Sequence, residues 1–252
     1  MTARAPIRRW GVAMHPWTME ETLAEIGRSL AENRFVQHTV VNVAKVVHAQ
    51  GDAELAQALA NADIVNIDGM GIVWAARLLG DPVPERVAGI DLFEALLALA
   101  ERDHHPVYFL GATPEVLERT LVVVRERHPD LTVAGSHHGY FGDAEDAVVA
   151  SIAASRAHLL FVAMSSPQKE RFIDRWGKHL GVRFVMGVGG SFDVLAGKVR
   201  RAPDWMQRAG LEWAFRVVQE PRRMWRRYLT TNARFAWMVV RDWRSGSDPE
   251  LP

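Results

Sequence analysis

The sequence contains no cysteine. This excludes disulfides, thiolate nucleophiles and cysteine-ligated metals, and it fits a reducing compartment. No stretch approaches about 18 uncharged apolar residues, so no membrane-spanning helix is expected. The opening residues, Met1 to Trp17, carry basic side chains but no uninterrupted apolar run, so no secretory signal is expected there. A G-x-x-x-x-G-K-[ST] phosphate loop and an H-E-x-x-H helix are both missing, and no other histidine or carboxylate spacing suggests a metal. No two aspartates stand two positions apart, which removes the usual cue for a metal-held sugar nucleotide. Any diphosphate bound here is expected to be neutralised by arginines and helix N-termini.

Net charge is also absent, since 30 Lys+Arg balance 30 Asp+Glu, but the balance hides a strong asymmetry. Between Lys198 and Arg244 stand twelve Lys+Arg against four Asp+Glu, together with five of the nine tryptophans (Trp205, Trp213, Trp225, Trp237 and Trp243). The 252 residues, 48% hydrophobic and 24% charged, suffice for one large core with an appendage. The C-terminal fifth is therefore basic and Trp-rich on an otherwise acidic body.

The middle of the chain alternates short Val/Ile/Leu/Phe-rich runs with amphipathic stretches. Residues 38–44, 63–68, 106–111, 131–136, 158–164 and 182–188 read as strands. Helical patterns fall at 70–79, 91–102, 114–127, 143–155 and 168–180. Strands apolar on both faces and separated by helices predict a mostly parallel sheet covered on both sides, a doubly wound, Rossmann-like α/β fold. After Gly197 the strand signal stops. Pro203, Gly210 and Pro221 then punctuate three expected helices, the last running to about Trp243. The expected organisation is an α/β core over 1–197 and a helical appendage over 198–252.

Ligands of open α/β sheets bind beyond the carboxyl ends of the strands, so the polar turns at those ends are the candidate sites. Asp68 ends a strand and precedes Gly69-Met-Gly71. A carboxylate there suits a general base for an attacking hydroxyl, or a cap for the following helix. Asp91 reads more simply as an N-cap. Asp193 suits a ribose hydroxyl or the fixing of its own turn, and Tyr140 and Phe141 suit a base or the core. The Gly187-Val-Gly-Gly-Ser-Phe192 run is not a dinucleotide fingerprint, because Phe192 takes the place of the third glycine and the strand is a late one.

Taken together and in order, these segments resemble the WecG/TagA/CpsF family (glycosyltransferase family 26). The similarity runs through Val41-Asn42, Asp68-Gly-Met-Gly-Ile-Val-Trp74, Arg86-Val-Ala-Gly-Ile-Asp-Leu92 and Phe109-Leu-Gly111. It continues in Gly139-Tyr-Phe141, Pro167–Glu170, Gly189-Gly-Ser-Phe-Asp193 and Arg201-Ala-Pro203, and ends in Leu211-Glu-Trp-Ala-Phe-Arg216 and Glu220-Pro-Arg-Arg-Met-Trp-Arg-Arg227. The resemblance implies an inverting, metal-independent transfer of N-acetylmannosamine or a related sugar from a UDP-sugar donor to a polyprenyl-diphosphate-linked acceptor, with no cofactor. It makes Asp68 the base and brings Arg216 and Arg226 to the departing diphosphate. Asn42, Arg86, Gly139, Tyr140 and Asp193 map to donor-pocket positions.

Two positions depart from the family pattern. Val40 stands where a threonine is common, and Thr39, one step away, faces the other side of a strand. Lys169 stands at the usual glutamine place, where it can meet a diphosphate as a point charge but cannot accept a hydrogen bond. The donor sugar and the oligomeric state therefore stay open.

The arginines and tryptophans of 221–243 suit the cytoplasmic face of a membrane, as a peripheral anchor that also closes the site, or else a helix packed on the body with exposed arginines. Nucleic acid is not an expected partner, because it would leave the α/β turn motifs without a role. The two departures leave a non-catalytic lipid- or nucleotide-binding scaffold as the competing function.

Overall fold

A computed structural model describes residues 4–219 and 221–245. The chain opens with β1 (Ile7–Arg9) and β2 (Val12–Met14), then α1 (Met19–Ala31), β3 (Val36–Val41), α2 (Val43–Ala49), α3 (Ala53–Ala60) and β4 (Ile64–Ile67). It continues through α4 (Met70–Leu78), α5 (Gly89–Arg102), β5 (Val107–Gly111), α6 (Pro114–Arg127), β6 (Val133–His137), α7 (Glu145–Ala154), β7 (Leu159–Ala163) and α8 (Gln168–Trp176). Last come β8 (Phe184–Gly187), α9 (Ser191–Leu195), α10 (Asp204–Arg208), α11 (Glu212–Gln219) and α12 (Pro221–Ser245). Short 3-10 turns at Gly142–Ala144 and Gly177–His179 precede α7 and follow α8.

Strands β3 to β8 form one parallel sheet in the order β4-β3-β8-β7-β5-β6. Successive strand residues point to opposite faces, and each face is buried. Phe109 and Phe161 pack on one side with Phe93 of α5 and Phe192 of α9. Their neighbours Tyr108, Leu110, Leu160 and Val162 pack on the other with Ile152 of α7 and Phe172 of α8. This two-sided burial is why the strands read as continuous apolar runs, and the fold is the doubly wound α/β sheet expected.

The boundaries differ where a local hydrogen bond competes with the pattern. The first central strand stops at Val41 because the Asn42 side chain accepts the Lys45 N–H and starts α2. The helix over 168–180 ends its α-form at Trp176. A side chain at Gly177 would press on the ring of Phe35, at 3.0 Å, and the chain tightens there into the 3-10 turn. The N-terminal hairpin was not expected. Its two-residue turn, Trp10-Gly11, has positive φ at both positions, and the turn places the buried indole of Trp10 on the body.

The C-terminal helices are fastened to the α/β body. In α12, Thr231, Phe235, Met238 and Val239 are buried, and the last three share a cluster with Trp10, Val46 and Ile72. Burying each of these apolar side chains is worth roughly 2 kcal/mol. The same helix leaves Trp225, Leu229, Trp237, Val240 and Trp243 exposed. Gly210, between α10 and α11, has φ +72°, and an added Cβ would fall 2.6 Å from Cγ of Met70. The appendage thus packs its Gly210 backbone on the Met70 and Trp74 side chains of α4. No helix among the described residues is long and apolar enough to cross a membrane.

Candidate active site

The carboxyl ends of the six parallel strands form one edge of the sheet, and Asn42, Asp68, Gly139, Tyr140, Lys169 and Asp193 lie in the turns and helix starts that follow them. At the β4 end, Asp68 donates its N–H to the Val41 carbonyl at 2.8 Å, which ties the loop after β4 to the end of β3. The N-cap of α4 is Gly69, so Asp68 sits one residue ahead of the capping position. An added Cβ on Gly69 would lie 3.2 Å from Cα of Asn42, so Asn42 and Asp68 flank one tight backbone crossing.

The loop before α5 passes the same point. Val87 donates its N–H to the Ile67 carbonyl at 2.9 Å. At Gly89 a methyl group would stand 3.6 Å from Asp68 Oδ2 and 3.4 Å from Cγ2 of Val40. Gly89 thus lies within van der Waals reach of the Asp68 carboxylate. Asp68, Asn42, Val40 and the Arg86–Gly89 stretch therefore form one cluster.

Arg86 is itself largely buried. Its Nη1 donates to Glu212 Oε2 at 3.0 Å, with 14% and 12% of the two side chains exposed. Nε of Arg201 lies 3.9 Å from Glu212 Oε1, and its two terminal nitrogens grip Asp91 at 2.5 and 2.8 Å. Burial works against the charge on Arg201, but the bond to Asp91 and the nearby carboxylates raise its pKa above the ordinary value. Asp91 is not an N-cap: Ala88 holds that position and Asp91 serves the arginine.

Below the edge lies a buried charge centre. Glu170 Oε1 receives Lys45 Nζ at 2.9 Å and Lys169 Nζ at 2.6 Å. Burial opposes ionisation of Glu170, yet the two ammonium groups outweigh it and lower the pKa from 4.5 to about 2. Lys45 Nζ also donates to Thr39 Oγ1 and to the Val40 carbonyl, so the cluster fixes the last turn of β3. Thr39 thus serves the buried cluster, while Val40 faces Asp68.

A second feature lies between β5 and β7, where the connections run in opposite directions along the sheet. This is the topological switch point at which open α/β sheets bind ligands. Gly111 has φ +122°, and a Cβ there would fall 2.4 Å from the Ala163 carbonyl oxygen. Gly139 donates its N–H to Ala112 at 2.9 Å and leads to Tyr140, whose side chain is 72% exposed. At about 4.8 Å per strand, the ends of β4 and β6 are roughly 24 Å apart.

The sequence model of the glycosyl transferase WecG/TagA/CpsF family matches residues 7–249. The chain belongs to that family. It is 38% identical over 192 residues to a Bacillus spizizenii protein named N-acetylglucosaminyldiphosphoundecaprenol N-acetyl-beta-D-mannosaminyltransferase, covering 76% of this chain and 73% of the relative. A Bacillus subtilis protein of the same name is 33% identical over the same length and the same coverage.

The remaining sequence-predicted residues are spread over α8, α9, α11 and α12. Lys169 is buried, 7% exposed, with its stem against Gly187 at the end of β8 and its ammonium on Glu170. Asp193, in the first turn of α9, pairs with Lys198 at 3.3 Å, and its carbonyl accepts the N–H groups of Lys198 and Val199. Arg216 lies on α11 and Arg226 on α12, and their side chains lie outside the described residues. Among the described residues, no group of three His, Asp or Glu side chains could hold a metal ion. Glu212 and Lys45 were not marked as site residues by sequence. Glu212 lies inside a family motif, but nothing local to either residue announces its partner.

Proposed function

We propose that this member of the WecG/TagA/CpsF family transfers N-acetylmannosamine or a closely related hexose from a UDP-sugar to a polyprenyl-diphosphate-linked sugar, at the cytoplasmic face of a membrane. The observation that carries this reading is the Asp68 cluster: a carboxylate at a strand end, with Asn42 across the Gly69 crossing and the Arg86–Gly89 stretch passing beside it. The names of the two Bacillus relatives supply the acceptor class.

The chemistry is a single displacement with inversion. The acceptor hydroxyl attacks C1 of the donor sugar as the bond from C1 to the diphosphate oxygen breaks. Asp68 takes the hydroxyl proton, and the electron pair leaves with UDP. Arg86 supplies positive charge from the body, and Arg216 and Arg226 supply it from the appendage. Lys169 contributes its charge from within the buried cluster. The nucleotide end of the donor lies toward Gly139, Tyr140 and Asp193, at the switch point and the β8 turn. With the diphosphate held by cationic side chains, no metal is required.

The exposed aromatic face of α12 favours a peripheral membrane contact, which brings the site to its lipid-linked acceptor.

The test is a screen of UDP-sugars with a polyprenyl-diphosphate-N-acetylglucosamine analogue, read by product mass and by the anomeric configuration of the product, with and without a chelator. One donor giving a product of inverted configuration, unaffected by the chelator, is the expected result. UDP binding with no turnover of any donor would instead mark a non-catalytic nucleotide-binding scaffold.

A further inference from the structure

Resting on that reading, we propose that Glu212 is a positioning residue for the transfer reaction. From the first turn of α11 it holds Arg86, at the start of the short stretch whose Gly89 meets Asp68, and makes the geometry of the site depend on the docking of the C-terminal helices. Four charged groups alternate across this joint. Arg86 and Asp91 belong to the body, and Arg201 and Glu212 to the appendage; Arg86–Glu212 and Asp91–Arg201 are the contacts that cross. Arg86 and Asp91 flank Gly89, the residue that approaches Asp68 Oδ2. The joint therefore braces the short stretch whose position sets the surroundings of the carboxylate.

The rest of the local structure makes the brace directional. The Val87 N–H on the Ile67 carbonyl fixes the backbone on one side of Arg86, so the remaining freedom is in its long side chain, which Glu212 holds. Two residues before Glu212, Gly210 lies too close to Met70 to accept a Cβ, which fixes where α11 begins. A carboxylate in the first turn of a helix also sits at the favourable end of the helix dipole. Both partners are largely removed from water, so the pair is only weakly screened by salt. Removing the negative charge leaves Arg86 without the group that orients it, and a small misplacement of a group in a transferase site costs rate before it costs binding.

The experiment is a double-mutant cycle on the full chain in the transfer assay, with Glu212→Gln, Arg86→Lys and the pair combined. Glu212→Asp serves as the conservative variant, and calorimetric UDP binding is measured in parallel. Glu212→Gln is expected to lower kcat at least about tenfold, with KM for the donor and UDP affinity changed by less than about threefold. Glu212→Asp is expected to recover most of that loss. The double variant is expected to be no slower than Arg86→Lys alone, because Glu212 acts through Arg86.

Losses that multiply in the double variant would overturn the positioning role, as would a Glu212→Gln enzyme within twofold of wild type. An active wild type with either of those results sinks this inference and leaves the proposed function standing. A wild type inactive with every donor sinks both. Should Glu212→Gln unfold, Glu212→Asp takes its place in the cycle: a loss in kcat alone that vanishes in the Arg86→Lys background supports the role, and no loss, or losses that multiply, overturn it.

Discussion

The indole of Trp10 meets the ring of Phe235 edge-on, with centroids 4.8 Å apart and planes at 66°. One residue turns the first hairpin and the other lies in the last helix, so the two ends of the chain share a core. Phe235→Ala removes this contact and leaves a cavity beside Val46 and Met238. It is expected to cost ~3 kcal/mol. At this chain length that lowers Tm by about 6–12 °C. Thermal unfolding followed by circular dichroism measures it, and a fall of under about 2 °C would mean that the end of α12 is not part of the core.

Replacing Asp68 by Asn keeps the shape of the side chain and removes its basicity. Transfer is expected to fall at least about a hundredfold, within the range for loss of a general base, while Tm and UDP affinity stay near wild type. Steady-state kinetics on the purified variant decides it. Near-normal turnover would remove Asp68 from the mechanism.

Glu170 links stability to pH. Its unfolded carboxyl takes up a proton near 4.5, while the folded one holds out to about 2, because burial is outweighed by Lys45 and Lys169. The stabilisation this provides is whole above pH 4.5 and is lost as pH falls toward 2. Glu170→Gln removes the carboxylate on which both buried ammonium groups converge, at a cost of ~3 kcal/mol at neutral pH. Melting curves of the two proteins should lie well apart at pH 7 and draw together as pH falls from 4.5 toward 2. A gap independent of pH would show that the charge on Glu170 is not what the lysines need.

Trp237 and Trp243 lie on the exposed side of α12, away from Phe235 and Met238. Changing both to alanine is expected to weaken binding to anionic vesicles at least about tenfold, from the apolar area no longer buried in the interface, with Tm almost unchanged. Deleting α12 would confuse the two effects, because its other face is core. Undiminished vesicle sedimentation of the double variant would exclude this face as the membrane contact.

The central strands were legible chiefly through β5 and β7, which are apolar on both faces over four or more residues, as strands of a covered parallel sheet are. Asp68 was legible as a carboxylate at a strand end, and its neighbours as ordered family motifs. The hairpin was not, since a tryptophan at positive φ is no usual turn signal and Arg8-Arg9 looks like surface. Nor were Glu212 and Lys45. Their roles come from partners 126 and 125 positions away, Arg86 and Glu170, and no local spacing encodes such a pairing. The same is true of Asp91, whose helix-start context predicts a cap, while the fold brings it Arg201.

The meeting of Trp10 and Phe235 also sets an order of events during synthesis. The hairpin leaves the ribosome well before α12, yet among the described residues the aromatic ring that covers its indole is Phe235 of that helix. Contacts this distant in sequence form late and slow the completion of a fold. Until α12 arrives, Trp10, Val46 and Ile72 stay partly uncovered, and a nascent chain in that state exposes apolar surface of the kind that chaperones bind.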